Sequence, residues 1–403
     1  MSLKILYHHR TQGRGAEGHH IASIVRELRL MGHRVTVISP RGIDPLDAGN
    51  SAPVDKTRVS TGGIRSLWKW FSRHAPNFIF ELAEIAYNIP AYRRLSKALA
   101  ADRFDLVYER YAFFLVAGAA LAKSRQIPFV LEANEVSGIA GRARRQTYPR
   151  LCSALEKFLL SRCTAILAVS SHLKERILRQ GVAADKVHVV SNAFSADRLP
   201  AGGDGGKLAA SLGLAGSTVI GFAGWFDTWD RLDSLIENFS LLRQDNPGLK
   251  LLLIGDGAVT PDLKRLAGRL DVDRDVVFTG AVPRTEIFRY ISLLDIAVLP
   301  HSNQFGSPVV MFEFMGLKIP VVAPRLAPIL DVHRHETTAL LFEPLDGPDC
   351  RRQIERLIRS KDLRAQIAAR AHAKLLADHT WRKNAELILA AAGLPGRSAG
   401  EST

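Results

Sequence analysis

A chain of 403 residues, 47% hydrophobic and 23% charged, is long enough for two α/β cores and is neither collagen-like nor compositionally disordered. Its apolar runs fall short of the roughly 18 residues that span a bilayer, its first residues lead into a strand pattern rather than a secretory leader, and Cys152, Cys163 and Cys350 fit neither a disulfide framework nor a zinc spacing, so a cytoplasmic protein is expected. The net charge of +14 lies wholly in residues 1–195, with 29 Lys+Arg against 15 Asp+Glu, while residues 196–403 hold 25 of each; either a polyanionic partner of the first half or a basic proteome background accounts for this.

In chain order, Lys4–Tyr7 reads as a buried strand, Gly13–Gly18 as a turn, His19–Met31 as an amphipathic helix stopped by Gly32, and Arg34–Ser39 as the next strand. This βαβ opening predicts a mostly parallel, doubly wound sheet. Gly13 and Gly15 let backbone approach a phosphate or sugar closely, although tight turns also use glycine for steric reasons alone. Ile64–Ala98 interleaves Trp68, Trp70, Phe71, Phe78 and Phe80 with Lys69, Arg73, Arg93, Arg94 and Lys97, and Arg142, Arg144 and Arg145 add to the same basic surface. Such a mixture suits a helix at an anionic membrane surface, placed here on Trp68–Phe80. Nucleic acid would use similar ingredients, but no nucleic-acid module is recognisable and none is expected as a partner. Strands at Leu106–Tyr108, Phe129–Glu132, Ala165–Val169 and Val187–Val190 complete a first domain over residues 1–195.

Ala201–Gly206 is too glycine-rich for an element interior and reads as an interdomain segment. The alternation restarts at Val219–Ala223 and continues through Lys250–Ile254, Val276–Phe278, Ile296–Leu299 and Val321–Ala323, giving a second doubly wound domain over residues 196–379. Open parallel sheets bind ligands beyond the carboxyl ends of their strands, so two such domains are expected to face one cleft lined by strand-end loops. Within Leu299–Ala323, Gly306-Ser307-Pro308 has the form of a helix start, with Ser307 at the cap and Pro308 first in the helix. Free amides there, through Val309 and Val310, would make a phosphate site without a basic side chain. Glu313 follows about one and a half turns on. It is either a carboxylate that accepts from two sugar hydroxyls or a solvated helix residue.

This stretch resembles the retaining family 4 glycosyltransferases of the GT-B fold, whose helix carries a Glu-x7-Glu element. Glu313 matches the second acid, which in the family holds the nucleotide ribose; the first falls on Phe305. Arg14-Gly15-Ala16-Glu17-Gly18-His19 is similar to the family's Gly-Gly-Ala-Glu-x-His loop, Gly255-Asp256-Gly257 to its "GDG" segment, and Phe278 to Pro283, with Val282, to the segment that lines the nucleobase. Ala168–Lys174 and Lys186–Ala193 look like the family's "AVS…LK" and "KI.VVPNG" segments. In Phe222–Asp233, Gly224 is kept, but Trp225 and Asp230 stand where the family carries phosphate-binding cations; Arg231 could supply one. Asn134 aligns with a His that meets the donor sugar. A neutral amide can position but cannot shuttle a proton at pH 7.

The resemblance thus implies two Rossmann-like domains facing a cleft, with a final helix near 380–394 crossing back to the first. Its implied activity is sugar transfer from a nucleoside diphosphate sugar to a lipid-linked or other glycan acceptor, with retention and without metal or other cofactor; the Trp68–Phe80 segment adds the expectation of a peripheral place on the inner face of a membrane. Glu132, Asn134 and His19 stand nearest the chemistry on this reading. Glu132 either contacts the acceptor and stabilises oxocarbenium-like charge or is a buried carboxylate paired with an arginine. The pairs His8-His9 and His19-His20 lack metal-ligand spacing to an acid. The departures at Phe305, Trp225 and Asp230 leave a catalytically weak sugar-nucleotide or glycan binder as the alternative; an epimerase or phosphorylase and a dinucleotide oxidoreductase are less well supported.

Overall fold

The computed structural model describes residues 2–11, 15–40, 77–138, 146–194 and 205–395, with nothing said of the side chains of residues 15 and 16. Arg14, most of the Trp68–Phe80 segment, Arg142, Arg144, Arg145 and most of the glycine-rich stretch lie outside the described residues. The chain divides into two compact units, Met1–Val190 with Arg382–Thr403, and Ser191–Trp381.

The first unit holds six parallel strands, β1 (Lys4–His8), β2 (Arg34–Ile38), β3 (Leu106–Arg110), β4 (Phe129–Ala133), β5 (Ala165–Ala168) and β6 (Val187–Val189), in the order β2-β1-β3-β4-β5-β6. Strands β3, β4 and β5 are buried along their whole length, which explains why Leu106–Tyr108, Phe129–Leu131 and Ala165–Ala168 read as apolar runs rather than alternating ones. Ile5 pairs with Val35 on one side and Leu106 on the other, so β1 and β3 diverge into opposite halves of the winding and open a crevice at their carboxyl ends. The last helix, Trp381–Ala391, buries Ala385, Ile388 and Leu389, and from Arg382 onward it belongs to this unit. Its Asn384 and Ile388 share a cavity of about 10 Å³ with His20, Ile24, Tyr108 and Glu132.

Helices Asn77–Ala86 and Asn88–Ala101 take in the described part of the aromatic and basic stretch Ile64–Ala98. Ala91, Leu95 and Leu99 face inward, while Phe78, Leu82, Ile89 and Tyr92 stay exposed beside the exposed Arg93 and Lys97. Glu81 is buried; its two carboxylate oxygens accept the N–H groups of Thr147 (2.6 Å) and Tyr148 (2.8 Å), just ahead of helix Pro149–Arg162. No helix among the described residues is long and apolar enough to cross a membrane.

The second unit has β7 (Thr218–Phe226), β8 (Leu249–Gly257), β9 (Val276–Phe278), β10 (Ile296–Val298), β11 (Val321–Pro324) and β12 (Leu340–Phe342), all parallel, in the order β12-β11-β10-β7-β8-β9. This is the doubly wound order of a dinucleotide-binding sheet, and its reversal lies between β7 and β10. β12 had no sequence expectation, because a three-residue Leu-Leu-Phe run carries no periodicity. Gly205 and Gly206 open the short helix Gly205–Ser211 instead of remaining in a linker.

β7 and β8 run three residues past their expected ends, in register from Thr218↔Leu249 to Phe226↔Gly257. Glycine makes that extension possible. A Cβ at Gly255 would fall on the Gly224 carbonyl oxygen, and Gly255 holds φ +134°. Gly255→Ala is therefore expected to destabilise the second unit by about 2–3 kcal/mol through clash and backbone strain. Thermal unfolding checks this; a Tm within 2 °C of the parent would contradict it, since about 2–4 °C per kcal/mol is expected for a unit of this size.

Candidate functional site

In the second unit the switch between β7 and β10 gathers most of the residues singled out from sequence. Gly224 and Trp225 lie at the carboxyl end of β7, with Trp225 61% exposed. A single 3-10 turn, Thr228–Asp230, follows; Asp227 caps it by accepting from Thr228 N–H (2.7 Å), and the Asp227 N–H donates to Asp230 (3.1 Å). Burial, the main influence, pushes the Asp230 carboxyl up to about 6, against the backbone hydrogen bond that lowers it. At the place of a family phosphate cation, then, stands a capping acid. Arg231 adopts a left-handed backbone (φ +52°) and donates its Nε to both oxygens of Asp233 (3.0 and 3.2 Å), leaving a half-exposed guanidinium engaged locally. His301, beyond β10, meets the Trp229 carbonyl oxygen through Nδ1 (3.0 Å) and so ties the two strand-end loops together.

Beyond His301 the chain makes a side-chain-held turn. Asn303 Oδ1 accepts the N–H groups of Phe305 (3.2 Å) and Gly306 (2.5 Å), and a Cβ at Gly306 would lie 2.9 Å from that oxygen. Ser307 is buried, and its Oγ accepts from the Asn192 N–H (3.2 Å) while its carbonyl accepts from Asn192 Nδ2 (2.7 Å). The helix starts one residue later than its sequence suggests: Pro308 is the cap and Val309 the first helical residue, because the Ser307 hydroxyl is engaged with Asn192 rather than with the helix. Pro308 provides no side-chain cap and its carbonyl takes the Met311 N–H (3.2 Å), so the N–H groups of Val309 and Val310, with the positive end of the helix dipole, are the ones that can meet an anion.

Glu313 is buried on this helix, so the solvated alternative is excluded. Its Oε1 accepts from Arg284 Nη2 at 2.8 Å, the guanidinium itself being half-exposed. Arg284 was not anticipated. It lies two residues past Val282, which packs against the unit's core, and a lone arginine in a loop carries no pattern that pairs it with a helix 29 residues on. Gly255 sits on β8 directly beside Gly224, its N–H donating to Thr279 Oγ1 (3.1 Å).

In the first unit the crevice between β1 and β3 is packed with titratable groups. Glu132, at the end of β4, is buried, with one oxygen on Arg110 and 3.0 Å from His20 Nε2, and the other accepting from the Tyr108 hydroxyl (2.8 Å). Burial, the largest single influence, pushes this carboxyl up. The Arg110 and His20 charges and the hydrogen bonds from His20 and Tyr108 together outweigh it and hold Glu132 well below the ordinary carboxylate range. Glu132 is thus a buried carboxylate paired with an arginine, as one of its two readings expected. His19, half-buried, is 3.5 Å from Ser23 Oγ, and its neighbour His20 is the one that reaches Glu132. Asn134 is half-buried one residue beyond β4, and its Oδ1 has no hydrogen-bond partner among the described residues. Gly15 is the first residue of helix Gly15–Leu30.

On the other face of β1, His8 Nδ1 meets Glu109 Oε2 at 2.5 Å with both side chains buried, and Gly118 leaves room for that carboxylate where a Cβ would collide with it. His9 is buried too, and burial chiefly lowers its pKa to about 4, so the imidazole at the end of β1 is neutral at pH 7.

Two family models match the chain: Glycosyltransferase Family 4 over residues 17–198 and Glycosyl transferases group 1 over residues 217–360. The chain is 24% identical over 219 residues to an alpha-D-kanosaminyltransferase of Streptomyces kanamyceticus, which takes in 54% of this chain and 56% of that protein, a little over half its length. It is also 24% identical over 275 residues to a 2-deoxystreptamine glucosyltransferase of the same organism, covering 66% of this chain and 70% of that one. The crystal structure of HepE from Anabaena in complex with UDP superposes with a TM-score of 0.68 at 19% identity, covering 95% of this chain and 98% of that one. Two family matches that together take in most of the chain, laid over two Rossmann-like sheets, make this protein a member of glycosyltransferase family 4 with the GT-B architecture.

Proposed function

We propose that the protein transfers a sugar from a nucleoside diphosphate sugar to an acceptor hydroxyl, with retention of configuration. The observation that carries this is the buried Glu313, on a helix whose uncapped first turn opens at the strand-order reversal of the second unit. In this scheme Glu313 accepts from the ribose hydroxyls, and the first-turn amides from Val309 stabilise charge on the leaving diphosphate, with no metal called upon. Trp225 and Trp229, exposed beside them, offer faces for a base or sugar. That HepE binds UDP in the same fold, and that both named relatives are sugar transferases, supports the reading. Retention rests on the family resemblance.

The first unit takes the acceptor in this proposal, a lipid-linked glycan in cell-surface polysaccharide synthesis. What supports a membrane-borne acceptor is the exposed row Phe78, Leu82, Ile89 and Tyr92 with Arg93 and Lys97 alongside, in the half of the chain that carries the positive excess. The protein is expected to co-sediment with vesicles containing anionic phosphatidylglycerol and to lose most of that binding in Phe78→Asp with Leu82→Asp. Equal sedimentation of parent and variant would remove this surface from the proposal.

Incubation of the full chain with UDP-, GDP- and ADP-sugars tests the activity: one of them should bind and release its nucleoside diphosphate, with turnover insensitive to a chelator. Binding and release with none would overturn the transferase reading. A second reading, a binder of sugar nucleotide with little turnover, is favoured by one observation, the capping role of Asp230 where a phosphate cation is usual. Binding without product would establish it.

A further inference from the structure

The chain passes from the first unit to the second at Val190–Ser191 and returns at Trp381–Arg382. Within the second unit the two passages are joined to each other: Phe194 forms a parallel bridge with Thr380 and donates its N–H to the His379 carbonyl (3.1 Å). Both also hold the helix that carries Glu313. At its N-terminal end, Asn192 grips Ser307 twice, backbone N–H to Oγ and side-chain amide to carbonyl. At its C-terminal end, the Phe194 ring occupies the space over Gly316, where a Cβ would collide with it. From the returning chain, the His379 ring meets Phe312 edge-on (centroids 5.4 Å, 62°), and His372, on helix Lys361–Asp378, has Nδ1 3.1 Å from the Met315 carbonyl oxygen.

This arrangement constrains one residue more than the others. Phe194, His379 and His372 act on the buried flank and C-terminal half of the helix, but Asn192 acts on the residue immediately before its cap. With Pro308 giving no side-chain cap and Asn303 taking the N–H groups of Phe305 and Gly306, the direction of the first-turn amides depends on how the Ser307 peptide is held. An amide side chain suits the task because Nδ2 donates to the Ser307 carbonyl. A carboxylate in its place would set two acceptors against each other.

We propose that Asn192 is a positioning residue of the donor site, fixing the Ser307–Pro308 turn so that the amides of the Val309–Gly316 helix meet the distal phosphate of a nucleoside diphosphate. The proposal rests on the donor-site reading given above. Asn192 makes no contact with the nucleotide in this scheme; it acts through Ser307, and its influence is confined to the phosphate end of the ligand.

Calorimetric titration of the full chain with UDP, GDP and ADP, and with UMP, GMP and AMP, tests it in the parent, in Asn192→Asp and in Ser307→Ala. For the base that binds, Asn192→Asp should weaken the diphosphate about tenfold, the scale of one lost hydrogen bond with an added repulsion, and leave the monophosphate within about twofold. Ser307→Ala, which keeps the amide–carbonyl bond, should weaken the diphosphate by about threefold. Parallel loss of diphosphate and monophosphate affinity would mean that Asn192 only supports the fold, and unchanged diphosphate affinity would mean that the turn is set without it; either overturns the proposal while the donor site stands. Should Asn192→Asp not fold, Asn192→Ser, too short to reach the Ser307 carbonyl, reads the same ratio. A parent chain that binds none of the six overturns the donor-site reading, and this inference with it.

Discussion

Arg110→Ala should cost the protein about 3–5 kcal/mol at pH 8, the usual penalty for leaving a buried charge without its partner. Arg110 and Glu132 are both buried, and the other partners of the carboxylate are His20 and the hydroxyls of Tyr108 and, at 3.4 Å, Tyr7. The sign of the pH dependence follows from the direction of the shift. In the parent the Glu132 carboxyl is held below its ordinary value, so its contribution is present above the unfolded pKa of about 4.3 and is lost as pH falls below that. In the variant, burial acts without its chief opponent and the carboxyl rises, so that its contribution is present at acid pH and lost as pH rises through the new value. The penalty of the substitution should therefore shrink from pH 8 to pH 5. Urea unfolding of parent and variant at both pH values decides the matter; a penalty equal at the two, or below 1 kcal/mol at pH 8, would show that the pair contributes little. Adding Glu132→Gln to Arg110→Ala should recover part of the loss, because the orphaned charge is then gone.

Glu313→Ala should lower kcat/KM for the donor by about 100- to 1000-fold. On the proposed role, two hydrogen bonds from ribose hydroxyls to a carboxylate disappear together, each at about 1.5–2 kcal/mol. Arg284, half-exposed, turns to solvent when its partner is removed, so stability changes far less than turnover. Initial rates with the active sugar nucleotide measure the effect. A decrease of less than threefold would remove Glu313 from nucleotide binding, and a matching collapse of the fold would show that the residue serves only the core. Glu313→Gln, which keeps one oxygen acceptor of the same shape, should fall between parent and alanine.

The two sheets were legible because their central strands are buried on both faces and therefore appear as apolar runs between glycine and proline signals. What escaped was decided elsewhere. The added length of β7 and β8 comes from Gly255 lying against Gly224 and Gly257 against the Phe226 backbone, a pairing visible only once the register is known. Helix Val309–Gly316 was legible to within one residue, and the miss has a single cause: the hydroxyl that looked like a cap belongs to Asn192, 115 residues away. Glu132 could be read only as one of two alternatives, since its partners arrive from β3 and from helix Gly15–Leu30. Which of His19 and His20 would reach Glu132 was not legible, because adjacent residues on a helix point about 100° apart and only packing says which one faces the sheet; it is His20. Arg231 looked available as a cation on spacing alone; its engagement with Asp233 depends on the left-handed turn that the backbone makes there.

The discontinuity of the first unit bears on how the protein is made. The second unit is one uninterrupted stretch, Ser191–Trp381, whereas the first is completed by Arg382 and the residues after it. On the ribosome the six strands of the first sheet emerge early, yet the helix that supplies Asn384 and Ile388 against His20 and Glu132 is translated only after the whole second unit. At about 5–20 residues per second, synthesis of the intervening unit takes roughly 10–40 s. Throughout that interval the charged cluster around Glu132 lacks its cover, and the later-made half of the protein can close before the earlier-made half does. Nascent chains stalled before residue 382 should therefore be the aggregation-prone species, and helix Trp381–Ala391 acts as the latch that ends the exposure.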